Sequence, residues 1–163
     1  MDLPRSLVDL LLERWPVARL ASADADARPT ALPIVFARVG GYLWTPIDGK
    51  PKRAGEPARV RRVAENPRVE LLLDEYHEDW SRLWWLRVAG DARVVQPPQP
   101  ERDPDVAPVL AALRSKYPQY AALPVLRDPP TLLAVRPTRI QSWCAGESAV
   151  EALETRVGRG PSS

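Results

Sequence analysis

The chain has 163 residues but only one cysteine, one histidine, one phenylalanine and one methionine. A single thiol, Cys144, excludes an internal disulfide and fits a reducing compartment. No basic activator stands beside it in sequence, so it reads as a packed or idle thiol. The single imidazole, His77, sits in Asp74-Glu75-Tyr76-His77-Glu78-Asp79 with no second His or Cys at ligand spacing, and no metal site is expected. The G-x-S-x-G elbow is missing, which removes Ser-His-Asp hydrolysis, and neither the dinucleotide fingerprint nor the P-loop occurs. Long apolar runs are also missing, and Met1-Asp2-Leu3-Pro4 lacks the basic-then-apolar pattern of an export signal. The expectation is a cytoplasmic protein without a membrane span. A net charge of +2 is too small for general binding to nucleic acid or a membrane surface, so any anion recognition must be local.

Lysine is scarce as well. Of 23 basic residues only Lys50, Lys52 and Lys116 are lysines, and two of them share the cluster Lys50-Pro51-Lys52-Arg53. The cluster follows the strand end Trp44-Thr45-Pro46 and precedes a helical stretch over residues 57–65. Three cations delivered by a strand into a loop before a helix suit a phosphate. On its own the tetrapeptide also reads as a solvated basic turn. Tryptophan is abundant by contrast, with six residues. Trp84 and Trp85 are strand neighbours, so their rings face opposite ways and one of them must meet a helix, a ligand or a second subunit. A homodimer is expected. Trp44 either lines the pocket of the basic loop or packs in the core.

The length suits one domain. Leu3, Leu7, Leu10 and Leu11 predict a helix over residues 4–15. Strands are predicted over 17–23, 30–39, 42–47, 68–76, 83–95 and 131–143, and further helices over 57–65 and 104–117. Gly40-Gly41 marks a hairpin and Gly90-Asp91 a bulge, while Pro137 limits the last strand to an edge or a break. Proline at position 33 removes a ladder donor, so one edge of the second strand is expected to be incompletely paired, offering backbone groups to a flat heterocycle. Short links between early strands favour antiparallel pairing. The fold class is mainly β with peripheral helices (α+β), a six-stranded antiparallel barrel over residues 1–145. Residues 146–163 read as a mobile tail with a brief helix through Val150 and Leu153. The side chains offer little acid, base or nucleophile chemistry, which points an enzymatic reading toward a cofactor with its own reactivity.

The run Asp48-Gly49-Lys50-Pro51-Lys52-Arg53, then Asn66-Pro67-Arg68-Val69, then Asp79-Trp80-Ser81-x-Leu83-Trp84-Trp85-x-Arg87-Val88-x-Gly90 resembles the pyridoxamine-phosphate-oxidase-like split β-barrel proteins. It is most similar to their actinobacterial branch of deazaflavin (coenzyme F420)-dependent oxidoreductases. The resemblance implies an FMN-binding type of split barrel forming a homodimer, with two cofactor sites at the subunit interface. It assigns the cofactor phosphate to Lys50, Lys52 and Arg53, and the ring to the backbone of Pro33, Ile34 and Val35. Trp44 and Thr45 would flank the ribityl chain, and Trp143 of the last strand would close the pocket from the partner subunit. Arg59, Arg61 or Arg62 would meet an acidic cofactor tail. The implied activity moves a hydride between reduced cofactor and an electron-poor small molecule. FMN in place of the deazaflavin, or a carrier or sensor without turnover, are the alternatives within the same fold. Arg136-Pro137-Thr138-Arg139 lacks the Arg-x-His segment of true pyridoxamine-phosphate oxidases, so vitamin B6 oxidation is not expected.

Overall fold

A computed structural model describes residues 1–48 and 57–158 of the chain. Its strands are β1 (Ala18–Ala23), β2 (Pro29–Ile34), β3 (Ala37–Val39), β4 (Tyr42–Pro46), β5 (Arg68–Glu75), β6 (Trp84–Val95) and β7 (Leu132–Cys144). Its helices are α1 (Arg5–Arg14), α2 (Ala58–Glu65), α3 (Ala107–Lys116) and α4 (Glu147–Gly158). All strand pairs are antiparallel, in the order β2-β1-β5-β6-β7-β4-β3.

The two ends of that order, β2 and β3, are separated in the chain by Val35 and Phe36 alone. A single extended stretch therefore pairs with β1, turns a corner, and pairs with β4. This closes the sheet into a split barrel. Seven strands arise where six were expected because residues 30–39 divide at this corner. Phe36 is fully buried there and lies outside both ladders. Its backbone is satisfied by a side chain instead: its N–H donates to the Tyr117 hydroxyl at 3.0 Å, and that hydroxyl lies 2.9 Å from the carbonyls of both Phe36 and Pro16. A buried amide and carbonyl left unpaired would each be costly, so Tyr117 holds the corner.

Alternation along the strands builds two cores. Leu20, Leu43, Leu71, Leu73, Leu86 and Val88 fill the barrel, and α1, α2 and α4 add Leu11, Val60 and Leu153 to the same cluster. Outside the barrel, α3 covers Ala37, Trp44 and Ala134 with Val109, Leu110 and Leu113. The domain boundary drawn after residue 145 precedes a full helix, α4, whose Ala149, Leu153 and Val157 join the barrel core. Residues 159–163 lie outside the described ones.

Two glycine features shape the sheet. Gly40 and Gly41 both have positive φ, 60° and 79°, giving the two-residue hairpin between β3 and β4. Gly90 stands at the register shift of β6 against β7, opposite Pro137, where an added Cβ would lie 2.6 Å from the Arg136 carbonyl oxygen. Pro137 sits at this break, on the part of β7 that pairs with β6 alone among the described strands, since β4 pairs only with Leu132–Val135.

Candidate functional site

Lys50, Lys52 and Arg53 fall within residues 49–56, outside the described residues. The residues flanking that segment are described, and they converge on one polar cluster. On the near side β4 runs out through Pro46, Ile47 and Asp48. Ile47 is held between two other segments, its N–H donating to Thr131 O and its carbonyl accepting from Arg127 N–H, both at 3.0 Å. Asp48 is buried, and its carboxylate accepts from the Tyr120 hydroxyl at 3.5 Å. On the far side the first turn of α2 presents Arg59, whose guanidinium donates to the Pro46 carbonyl at 3.2 Å.

Charge is crowded in this cluster. Burial pushes the Arg59 guanidinium down from its ordinary value; Asp48 opposes that shift, and the nearby Arg127 adds to it. Arginine nonetheless remains charged. Burial, reinforced by Asp48, holds the Tyr120 hydroxyl well above the usual phenol range, so it stays a neutral donor. Among the buried side-chain polar atoms with no hydrogen-bond partner among the described residues are Thr45 Oγ1, on the barrel side of β4, and Arg59 Nε, beside the strand's end. Buried polar groups are normally paired, so the orphaned Arg59 N–H fits an anionic group.

Trp44 and Thr45 were both expected beside the ligand, but neighbours on a strand face opposite ways. Trp44, 4% exposed, turns outward into the α3 core. There Nε1 donates to Val39 O at 3.1 Å and Arg93 stands 5.8 Å from its ring. Thr45 turns inward on the face of Leu43 and Leu133, toward the barrel.

Pro33, Ile34 and Val35 arrive from β2. Pro33 is exposed, Ile34 is buried in the barrel core, and Val35 packs toward α3. β2 pairs with β1 on one side and has no strand partner on its other edge among the described residues. Residues 33–35 lead through Phe36 into Ala37, which pairs with Trp44.

Trp143 does not join them within one chain. It pairs with Trp85 near the other end of β7, ten residues from the Leu133 that faces Thr45, or about 30 Å along a strand. Trp143 is 39% exposed. Trp84 and Trp85 divide as predicted: Trp84 is buried edge-on against Trp15, with centroids 4.8 Å apart, and Trp85 faces outward with Arg87 at 5.8 Å. His77 sits 3.2 Å from Glu75, which also pairs with Arg156.

The α2 arginines separate clearly. Arg61 points to solvent and pairs with Glu65 at 3.8 Å. Arg62 lies toward the β1–β2 turn, where its charge helps lower the Asp24 carboxyl. Arg59 alone of the three meets Asp48. Asp48 and Arg127 were not among the expected site residues. Asp48 borders the basic motif and could have been included, whereas Arg127 lies in an aperiodic stretch with no local signal.

The family model described as pyridoxamine 5'-phosphate oxidase matches residues 6–144. The comparison with curated proteins gives no match. Among solved structures the chain resembles an F420 reductase at 24% identity and a TM-score of 0.55, covering 85% of this chain and 98% of that one. It also resembles a FAD-binding protein from Mesorhizobium loti (18% identity, TM-score 0.57, 87% of this chain and 95% of that one). A third is the heme storage protein HutZ from Vibrio cholerae (16% identity, TM-score 0.63, 88% and 95% covered). At these identities the structures share a fold, while the family match spans most of the chain. Closed antiparallel barrel, ordered motifs and family match agree: the chain belongs to the pyridoxamine 5'-phosphate oxidase family.

Proposed function

We propose that this protein binds the deazaflavin coenzyme F420 and is an oxidoreductase acting on an electron-poor small molecule. The observation that carries the reading is the polar cluster at the end of β4, where Arg59 Nε is buried without a partner among the described residues, near Asp48 and Tyr120. The described residues on either side of the segment bearing Lys50, Lys52 and Arg53 meet in that cluster. When bound, a reduced deazaflavin supplies two electrons as a hydride equivalent from its C5. The chain binds and orients. Lys50, Lys52 and Arg53 hold the phosphoryl group by charge-assisted hydrogen bonds, and the free edge of β2 offers its backbone at Pro33, Ile34 and Val35 to the polar rim of the ring. Solvent provides the proton that completes the product.

The functional unit in this reading is a homodimer in the cytoplasm. Trp85 and Trp143 stand side by side on an outward face with Arg87 and Leu72, a pairing that favours burial against a second copy. Trp143 lies far from the end of β4 within one chain, so in this reading the partner subunit's Trp143 closes the site. None of the helices described is long and apolar enough to cross a membrane.

FMN is the second reading, favoured by the same anion-binding cluster, which accepts a phosphate monoester as readily as a diester. Parallel titrations with the deazaflavin and FMN separate the two. Tight binding without transfer to a panel of activated alkenes, imines and quinones would instead indicate a carrier or sensor.

A further inference from the structure

A cavity of about 240 Å³ lies between α3, the turn before it and the segment that leads into β7. Leu110 and Arg114, one helical turn apart, form the α3 wall. Pro100 and Glu101 face it from the turn, and Val125 and Leu126 from the segment before β7. Leu110 and Val125 are buried, which gives the space an apolar lining. Pro124 and Pro130 line it as well, and with Pro100 they add fixed φ angles and no N–H donors, so the walls are stiff and mostly non-polar. Arg127 and Asp128 contribute one charge of each sign, and the Arg127 N–H ties its segment to the Ile47 carbonyl at 3.0 Å. At about 30 Å³ for each water-sized group, the cavity has room for roughly eight to ten non-hydrogen atoms. A preformed apolar hollow with few polar groups at its edge is the usual form of a small-molecule site.

The polar edge is built in a particular way. The Arg114 fork grips the Glu101 carboxylate through two hydrogen bonds, Nη2 to Oε1 at 2.5 Å and Nη1 to Oε2 at 3.2 Å. A carboxylate therefore already sits on a guanidinium at the rim of an apolar cavity, in the two-point geometry that recognises an acid. The two partners differ in how they are held. Arg114 belongs to α3, whereas Glu101 belongs to a turn whose backbone bonds run only from Arg102 and Asp103 to the Gln99 carbonyl. Both side chains are half-exposed, so the pair is weakly held and Glu101 is the partner free to swing away. We infer that this cavity binds a small aromatic or cyclic carboxylate, with Arg114 as its anchor and Glu101 as a built-in stand-in that the ligand's carboxylate displaces. The apolar body of the ligand then lies against Leu110, Val125 and Leu126. An amine of the same size has no such anchor on the helix, because the acid it would need is the one Arg114 already holds.

The test titrates the full-length protein with benzoate, benzamide and benzylamine, which match in size and differ in charge, and follows the backbone amide resonances of Leu110, Val125 and Leu126. Benzoate is expected to give saturable shifts at these amides and to bind at least ~10-fold more tightly than the other two. Arg114→Gln should weaken benzoate by ~10–100-fold, the loss typical of a hydrogen-bonded charge, and Arg114→Lys should recover part of it. Glu101→Gln should act the other way and tighten benzoate by ~2–5-fold, since the ligand no longer displaces a competing surface ion pair. Opposite effects from the two partners of one ion pair separate a ligand anchor from a structural clasp, and thermal melts of the variants confirm that both remain folded. Weaker binding in both variants would make the pair a clasp that shapes the turn. Equal affinity for benzoate and benzamide would remove Arg114 from recognition, and a preference for benzylamine would reverse the assigned charge. No saturable shift with any of the three would mean that the cavity is not a site. Each of these four results overturns the inference. None of the titrations involves a flavin or deazaflavin, so the outcome is independent of the cofactor proposal.

Discussion

Removing one oxygen atom tests how the barrel is closed. In Tyr117→Phe the ring remains in the α3 cluster, but the hydroxyl that bridges the β2–β3 corner is lost. That hydroxyl accepts from Phe36 N–H at 3.0 Å and donates to either Phe36 O or Pro16 O, each at 2.9 Å. Phe36 is fully buried, so water cannot replace the lost partner without local opening. One donor and one acceptor are left unmet. At roughly 1–3 kcal/mol for each buried unsatisfied group, the variant should lose about 2–4 kcal/mol, much of a domain's total stability. Burial holds the Tyr117 hydroxyl far above the phenol range, so the effect should not vary across neutral pH. Urea unfolding of wild type and variant gives the free-energy difference, and hydrogen exchange at the Phe36 amide locates it. A loss below about 0.5 kcal/mol with unchanged exchange at Phe36 would refute the view that Tyr117 satisfies this corner.

The neighbouring lysine predicts a pH effect of definite sign. Burial pushes the Lys116 ammonium down to about 7, against an opposing attraction from Glu13, and Nζ sits 3.7 Å from the Phe36 ring centre without a hydrogen-bond partner among the described residues. Between pH 7 and about 10 the unfolded chain keeps this proton and the folded chain does not, so stability should climb with pH over that window and level off below it. The gain is roughly 1–3 kcal/mol, reduced by the attraction of the charged form to the ring. Lys116→Met should flatten the profile and stabilise the protein at pH 7; an unchanged pH slope in the variant would contradict the assignment. Trp143→Glu places a charge in the proposed subunit contact and should turn the dimer into monomer in light scattering, whereas a dimer of undiminished affinity would move the interface elsewhere.

Much of the fold was legible because it follows from local rules. Leucines at helical spacing produced α1, Gly40-Gly41 produced its hairpin, and the adjacent pair Trp84-Trp85 had to divide between the two faces of a strand. The corner at Phe36 was not legible, because residues 30–39 are uniformly strand-like and the break is set by Tyr117, 81 residues away. The tail beyond residue 145 read as mobile with a brief helix because it is terminal. Its Ala149, Leu153 and Val157 nevertheless lie on one helical face and find α1, whose Arg14 bonds the Val157 carbonyl at 2.7 Å. Within the candidate site, proximity to the basic motif suggested Trp44 and Thr45 alike, and only the strand's facing separates them: Trp44 turns to the α3 core and Thr45 to the barrel. Asp48, Tyr120 and Arg127 meet only through tertiary structure, and Arg59 could not be told from Arg61 and Arg62 until the direction of α2 was known.

The central claim is that the Lys-Pro-Lys-Arg segment and the crevice at its roots hold the phosphoryl group of a flavin-type redox cofactor. Side-by-side equilibrium titrations of the deazaflavin and FMN into wild type and into the double variant Lys50→Ala, Lys52→Ala test it most directly. The account predicts saturable binding to the wild type, tighter for the deazaflavin, and a loss of about 2–4 kcal/mol in the variant from two charge-assisted contacts. Equal affinity in wild type and variant, or no binding of either ligand to the wild type, would contradict it.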